Sequence, residues 1–167
     1  MSIEPPVTSP RDLAGAYATL STGTAETPVR PIAGGTDLLV ALTGELGPPP
    51  ASVVDLWAID DLRGVAIDGD ALTLGALTTY TDIRRSALIR EHVPALVEAA
   101  ATIGAAQIQN RGTLGGNIAN ASPAGDAFAM FPPSVPRFWI WAAPIVAAAS
   151  TSAGTCSRHS AEPRMSV

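Results

Sequence analysis

The chain has 167 residues, enough for one domain with a substantial core or for two small subdomains. Apolar residues make up 47% and charged residues 15%, which excludes a disordered chain. The net charge of −5, carried with arginine as the basic residue and no lysine, excludes a nucleic-acid surface, Schiff-base chemistry and a lysine-dependent phosphate loop.

Ser9-Pro10-Arg11-Asp12 predicts a helix start, with Ser9 at the N-cap and Pro10 in the first turn, and a helix through Leu13, Tyr17 and Leu20. Pro28–Ala33 predicts a short strand that runs into Gly34-Gly35-Thr36-Asp37. A helix is expected over Leu38–Leu42, ended by Gly47-Pro48-Pro49-Pro50, and a second strand over Ser52–Leu56. Val65–Ile67 and Leu72–Leu74 flank Asp68-Gly69-Asp70, the composition of a tight hairpin turn. One helix is expected from Thr78 as N-cap through Ile83, Leu88 and Ile89, another from Pro94 to about Ile103. Together these elements predict an α+β fold.

From about Phe128 the character changes. Only Glu162 of the 15 acids lies there, with Trp139, Trp141 and the single cysteine, Cys156. One cysteine excludes a disulfide framework or a cysteine-built metal centre within the chain. Trp139–Ala149 is apolar but about half the roughly 20 residues that span a membrane. No element plan is visible in this tail, which is expected to be disordered or read out of frame; translating the downstream DNA in the other frames checks this. Met1–Pro6 has neither a basic nor an apolar signal region, so no secretory signal is expected and the cytoplasm is the expected location.

Two glycine-rich segments are the candidate chemistry. In Ala33-Gly34-Gly35-Thr36-Asp37, successive N–H groups can converge on an anion, with Thr36 adding a hydroxyl and Asp37 capping the helix or binding a donor. The same residues equally suit a plain strand–turn–helix corner. The run from Gly104 to Asp126 reads as a cofactor cradle, and within it Thr113-Leu114-Gly115-Gly116-Asn117 repeats the first loop's logic. Two such loops would clamp a pyrophosphate with neutral backbone dipoles from both sides, and Asp126 suits a ribose hydroxyl pair or an adenine amino group. A long structural turn is the alternative. Neither a Rossmann fingerprint nor a Walker loop is present. His92 reads as a surface or capping residue. Trp57 reads as core or subunit interface rather than a stacking platform, and Tyr80 as core.

Pro31–Leu38 and Thr102–Asp126 together closely resemble the FAD-binding, or medium, subunit of molybdenum hydroxylases, the xanthine dehydrogenase and aerobic carbon monoxide dehydrogenase family. The resemblance covers roughly residues 5 to 127. It implies a two-subdomain FAD-binding fold of the vanillyl-alcohol oxidase type, with the second subdomain incomplete. The implied division is residues 1–60, 61–127 and a non-family tail over 128–167. It implies that Ala33, Gly34, Gly35, Thr36 and Asp37 line the FAD pyrophosphate and that Thr113, Leu114, Gly115, Gly116 and Asn117 close the opposite side. Ile103 would make an apolar contact and Asp126 would hold the ribose or adenine. No catalytic acid, base, nucleophile or metal ligand is expected. The implied activity is an oxidoreductase component that takes electrons from an iron–sulfur subunit and passes them through FAD to an acceptor such as NAD. Hydroxylation would occur on a molybdopterin subunit. The chain departs from the family at Gln109, where a basic residue is usual, and after Asp126, where the family pattern stops. Two alternatives follow from that stop: a truncated, non-catalytic fragment, or a small FAD-binding module with a C-terminal interaction segment.

Overall fold

A computed structural model describes residues 4–44, 46–69, 71–120, 138–141 and 164–166. In chain order the elements are β1 (Val7–Thr8), α1 (Leu13–Leu20), β2 (Val29–Ile32), α2 (Leu38–Thr43), β3 (Ser52–Asp55), a 3-10 turn (Asp60–Leu62), β4 (Val65–Asp68) and β5 (Ala71–Gly75). Five short helices follow: α3 (Tyr80–Arg85), α4 (Ala87–His92), α5 (Pro94–Thr102), α6 (Ala106–Arg111) and α7 (Leu114–Asn120). Strands β6 (Phe138–Trp141) and β7 (Arg164–Ser166) complete the described elements.

The N-terminal strands form a parallel sheet in the order β1-β3-β2. Pro31 sits in β2 opposite Val54, which is tolerated because β2 is an edge strand and needs no donor on its outer side. Leu13, Ala16, Tyr17 and Leu20 follow the helical i, i+3, i+4, i+7 spacing, so α1 packs on this sheet over Val29 and Val54. The start of α1 differs from the expectation. Asp12, not Ser9, is the N-cap, and its carboxylate accepts the Gly15 N–H at 2.7 Å, because the acid stands one residue before the apolar stripe begins.

The second sheet has the order β4-β5-β6-β7. The expected hairpin is present: β4 and β5 pair antiparallel from Val65 opposite Leu74 to Asp68 opposite Ala71, with Gly69 at φ +62° in the turn. The helix expected from Thr78 to Ile89 is instead two. Thr79 caps α3 in a capping box with Asp82, and the hydroxyl of Ser86 accepts from Ile89 N–H to start α4. A serine that offers the backbone an alternative partner interrupts the longer helix. α5 forms as expected and stops at Gly104, whose φ of +59° is the left-handed conformation of a helix C-terminus.

In the tail, where no element was expected, Phe138–Trp141 runs parallel to β5 and Arg164–Ser166 antiparallel to it in turn. The remainder of the apolar Trp139–Ala149 stretch lies outside the described residues, as do Cys156 and His159.

Two cores result. One gathers Ala16, Val29, Val54, Leu56, Ile59, Leu62, Ala76 and Leu77; the other packs Leu72, Leu74, Tyr80, Ile83, Ile89 and Leu96 against Leu114 and Ile118. The segment after β5 therefore contributes to the first core, although it lies beyond the expected boundary at residue 60.

Candidate functional site

The two glycine segments meet. Ala33–Asp37 and residues Thr113 and Gly115–Asn117 line one cleft of about 530 Å³, floored by Ala76, Leu77 and Tyr80. Among the described residues that line it, Arg30 and Asp37 alone carry charge.

The first wall is the turn between β2 and α2. Gly35 adopts φ +79°, which a side chain would oppose, and Leu39 and Ala41 donate back to the carbonyls of Gly35 and Asp37 at 3.0 and 2.9 Å. Among the described residues, the N–H groups of Gly34, Gly35, Thr36 and Asp37 have no acceptor in the protein. The expected capping role of Asp37 is not seen. It stands at the N-cap with helical backbone angles (φ −101°, ψ −48°) and makes no side-chain cap bond, its only side-chain contact being a 3.4 Å approach from the Thr36 hydroxyl. Helical angles at that position turn the carboxylate away from the donors an extended N-cap would reach.

The second wall is not a loop. Thr113 begins α7: its hydroxyl accepts from Gly116 N–H at 3.1 Å and its carbonyl from Asn117 N–H at 3.0 Å. Leu114 N–H donates to Thr78 and Gly115 N–H to Ala76, each at 2.9 Å. All four amides are thus taken, so the clamp of backbone dipoles from both sides is corrected to one side only. Among the residues this wall contributes to the cleft are Gly116 and Asn117. Asn117 Oδ1 is buried with no hydrogen-bond partner among the described residues, an orphaned acceptor in a cleft wall.

The glycines divide their work. A Cβ on Gly34 would overlap the carbonyl of Arg111, and one on Gly115 would lie 2.7 Å from the Cβ of Ala76, so both allow two chain segments to touch. Gly116 differs: beyond its own Thr113 hydroxyl at 2.9 Å, the nearest atom to an added Cβ is Ala33 Cβ at 3.9 Å, across the cleft.

Two expected contacts fall elsewhere. Leu114 is fully buried in the second core, so its side chain is not available to a ligand. Ile103 packs against that same core and does not line the cleft. Asp126 lies outside the described residues. Gln109 is a buried strut. It accepts from Arg84 and donates to the carbonyls of Ala101 and Gly104, tying α3, α5 and α6 together. His92 ends α4, where a basic residue suits the helix terminus. Arg30, missed in the sequence, had a legible position: it precedes the glycine turn on the same strand.

Trp57 is half-buried, and its ring takes two guanidinium groups. The guanidinium carbon of Arg111 lies 3.9 Å from its ring centroid, and that of Arg63 4.5 Å.

A family described as "FAD binding domain in molybdopterin dehydrogenase" matches residues 2–132. The chain belongs to this family. It is 40% identical over 95 residues to the nicotinate dehydrogenase FAD-subunit of Eubacterium barkeri, a match covering 57% of this chain and 32% of that one. It is 36% identical over 95 residues to the carbon monoxide dehydrogenase medium chain of Hydrogenophaga pseudoflava, covering 57% and 33%. Among solved structures, reconstituted CO dehydrogenase from Oligotropha carboxidovorans superposes with a TM-score of 0.70 at 33% identity, over 74% of this chain and 42% of that one. The match thus spans only about a third of the length of these curated relatives. FAD is the family's cofactor, and the cleft's chemistry fits it: free amide donors on one wall, an orphaned acceptor and a bare glycine on the other. Among the described residues no helix is long and apolar enough to cross a membrane, and no cluster of metal-ligating side chains occurs.

Proposed function

We propose that the cleft holds FAD with its pyrophosphate at the Gly34–Asp37 turn. The observation that carries this is a turn of backbone donors without an acceptor among the described residues, lining the same cleft as an unpaired acceptor. Neutral amides converging on an anion stabilise it without a lysine, and Arg30 adds the one positive charge among the lining residues. Asn117 Oδ1 accepts a hydroxyl hydrogen of the cofactor, which ends its isolation, and Gly116 leaves room for that approach. Asp126 stays assigned to the ribose or adenine end. The two cores are read as the two subdomains of a vanillyl-alcohol oxidase-type fold, the first interlocking with the second beyond residue 60.

When bound, FAD supplies the electron-carrying chemistry, within a complex whose iron–sulfur and molybdopterin subunits would feed electrons toward an acceptor such as NAD. The chain's own part is to bind and orient the cofactor, in the cytoplasm. Titrating the purified chain into FAD tests this: saturable quenching of flavin fluorescence is expected, and Asn117→Ala should weaken binding roughly tenfold, the effect of one lost hydrogen bond. A folded, monodisperse chain that leaves FAD fluorescence unchanged would sink the reading and favour a non-binding fragment.

A further inference from the structure

We propose that Arg111 and Trp57 form a latch that positions the Gly112–Asn117 wall against the Gly34–Asp37 turn; neither residue lines the cleft itself. Trp57 belongs to the N-terminal sheet, two residues past β3. Its position is fixed from both sides: its N–H donates to Asp55 Oδ1 at 2.9 Å, and its carbonyl accepts from Arg63 Nη2 at 2.7 Å. Arg111 is the last residue of α6, directly before the cleft wall. Among the described residues, its guanidinium over the Trp57 ring is the one charged contact that joins this wall to the N-terminal sheet, and Arg111 forms no ion pair there. The same residue's carbonyl fits the space left by the missing Cβ of Gly34. One residue therefore registers the second wall on the first twice, by backbone contact at Gly34 and by cation–π contact at Trp57. From Gly112 onward the wall is also tied to the segment after β5. Gly112 O accepts from Tyr80 N–H at 3.2 Å, and Leu114 and Gly115 donate to Thr78 and Ala76. The Arg111 contacts fix the leading end of the wall, beside Gly34.

For its binding readout the latch rests on the FAD reading; a second readout does not. The test uses the full chain with Trp57→Leu, Arg111→Met, both together, and Trp57→Phe. FAD affinity is measured by fluorescence quenching, and amide exchange of residues 112–117 is followed without FAD. Each of Trp57→Leu and Arg111→Met should weaken FAD roughly 2- to 5-fold, with the double variant no worse than about either alone and Trp57→Phe within about 1.5-fold of the parent. Exchange of the 112–117 amides should quicken by a similar factor in the first three. Effects that multiply in the double variant, or a Trp57→Phe as weak as Trp57→Leu, overturn the latch. A parent chain that binds no FAD defeats the cofactor reading only, and the exchange arm then decides. Arg111→Met disturbs no core residue, so unchanged exchange in that variant alone also overturns the proposal.

Discussion

Gly34 has no room for a methyl group, because the Arg111 carbonyl occupies that space. Gly34→Ala must push the two walls apart, and the expected cost is about 1–3 kcal/mol by urea denaturation, with FAD affinity lost alongside. Gly116→Ala, whose Cβ crowds only the Thr113 hydroxyl on the protein side, should by contrast weaken FAD while leaving stability within about 1 kcal/mol, since the hydroxyl can turn and alanine is the better helix residue. Tyr17 gives a pH handle. Burial against the first core holds its hydroxyl above the ordinary value of 10.0. The neutral form is favoured by folding, so this stability is complete below about pH 10 and is lost as pH rises through the raised value. Tyr17→Phe should flatten the alkaline fall in stability; an unchanged alkaline profile would count against the burial. At this scale the sequence shows which residues matter but not how they divide. That Gly34 and Gly115 serve chain contact while Gly116 faces the cleft depends on what lies opposite each. Leu114 turns to the core and Asn117 lines the cleft, as their polarity alone would suggest.

At the scale of elements, the glycine-rich run reads as a loop because two adjacent glycines disfavour a helix by roughly 1 kcal/mol each. The chain forms α7 regardless, since Thr113 caps it and Gly115 must approach Ala76 closely. Tertiary contact overrides propensity here, and no window of sequence carries that contact. The hairpin, α5 and the strand–turn–helix over residues 29–43 were legible because periodicity and turn residues agree within each segment. The Thr79–Asp82 capping box is a test of such an element. Thr79 also bridges to Thr113, so the cap supports the cleft wall. Thr79→Ala should cost about 1–2 kcal/mol in urea and Thr79→Ser much less.

For the whole molecule, the cleft lies where two cores adjoin, and a ligand bound there stabilises both walls together. At FAD about 100 times its dissociation constant the gain is about 2.7 kcal/mol, which for a chain of this length raises the melting temperature by roughly 5–10 °C. Differential scanning fluorimetry reads this directly, and a folded chain whose melting is indifferent to FAD would contradict it. The first core is finished by Leu62, Ala76 and Leu77 rather than by the sheet's own strands. During synthesis the N-terminal sheet consequently cannot close when β3 leaves the ribosome. It must wait for about 20 further residues, one to four seconds of translation at typical rates, with only α1 packed on it until then. A nascent chain stalled before residue 77 is the state in which this protein is most exposed to chaperones, and stalls placed a few residues either side of that point should differ sharply in protease resistance.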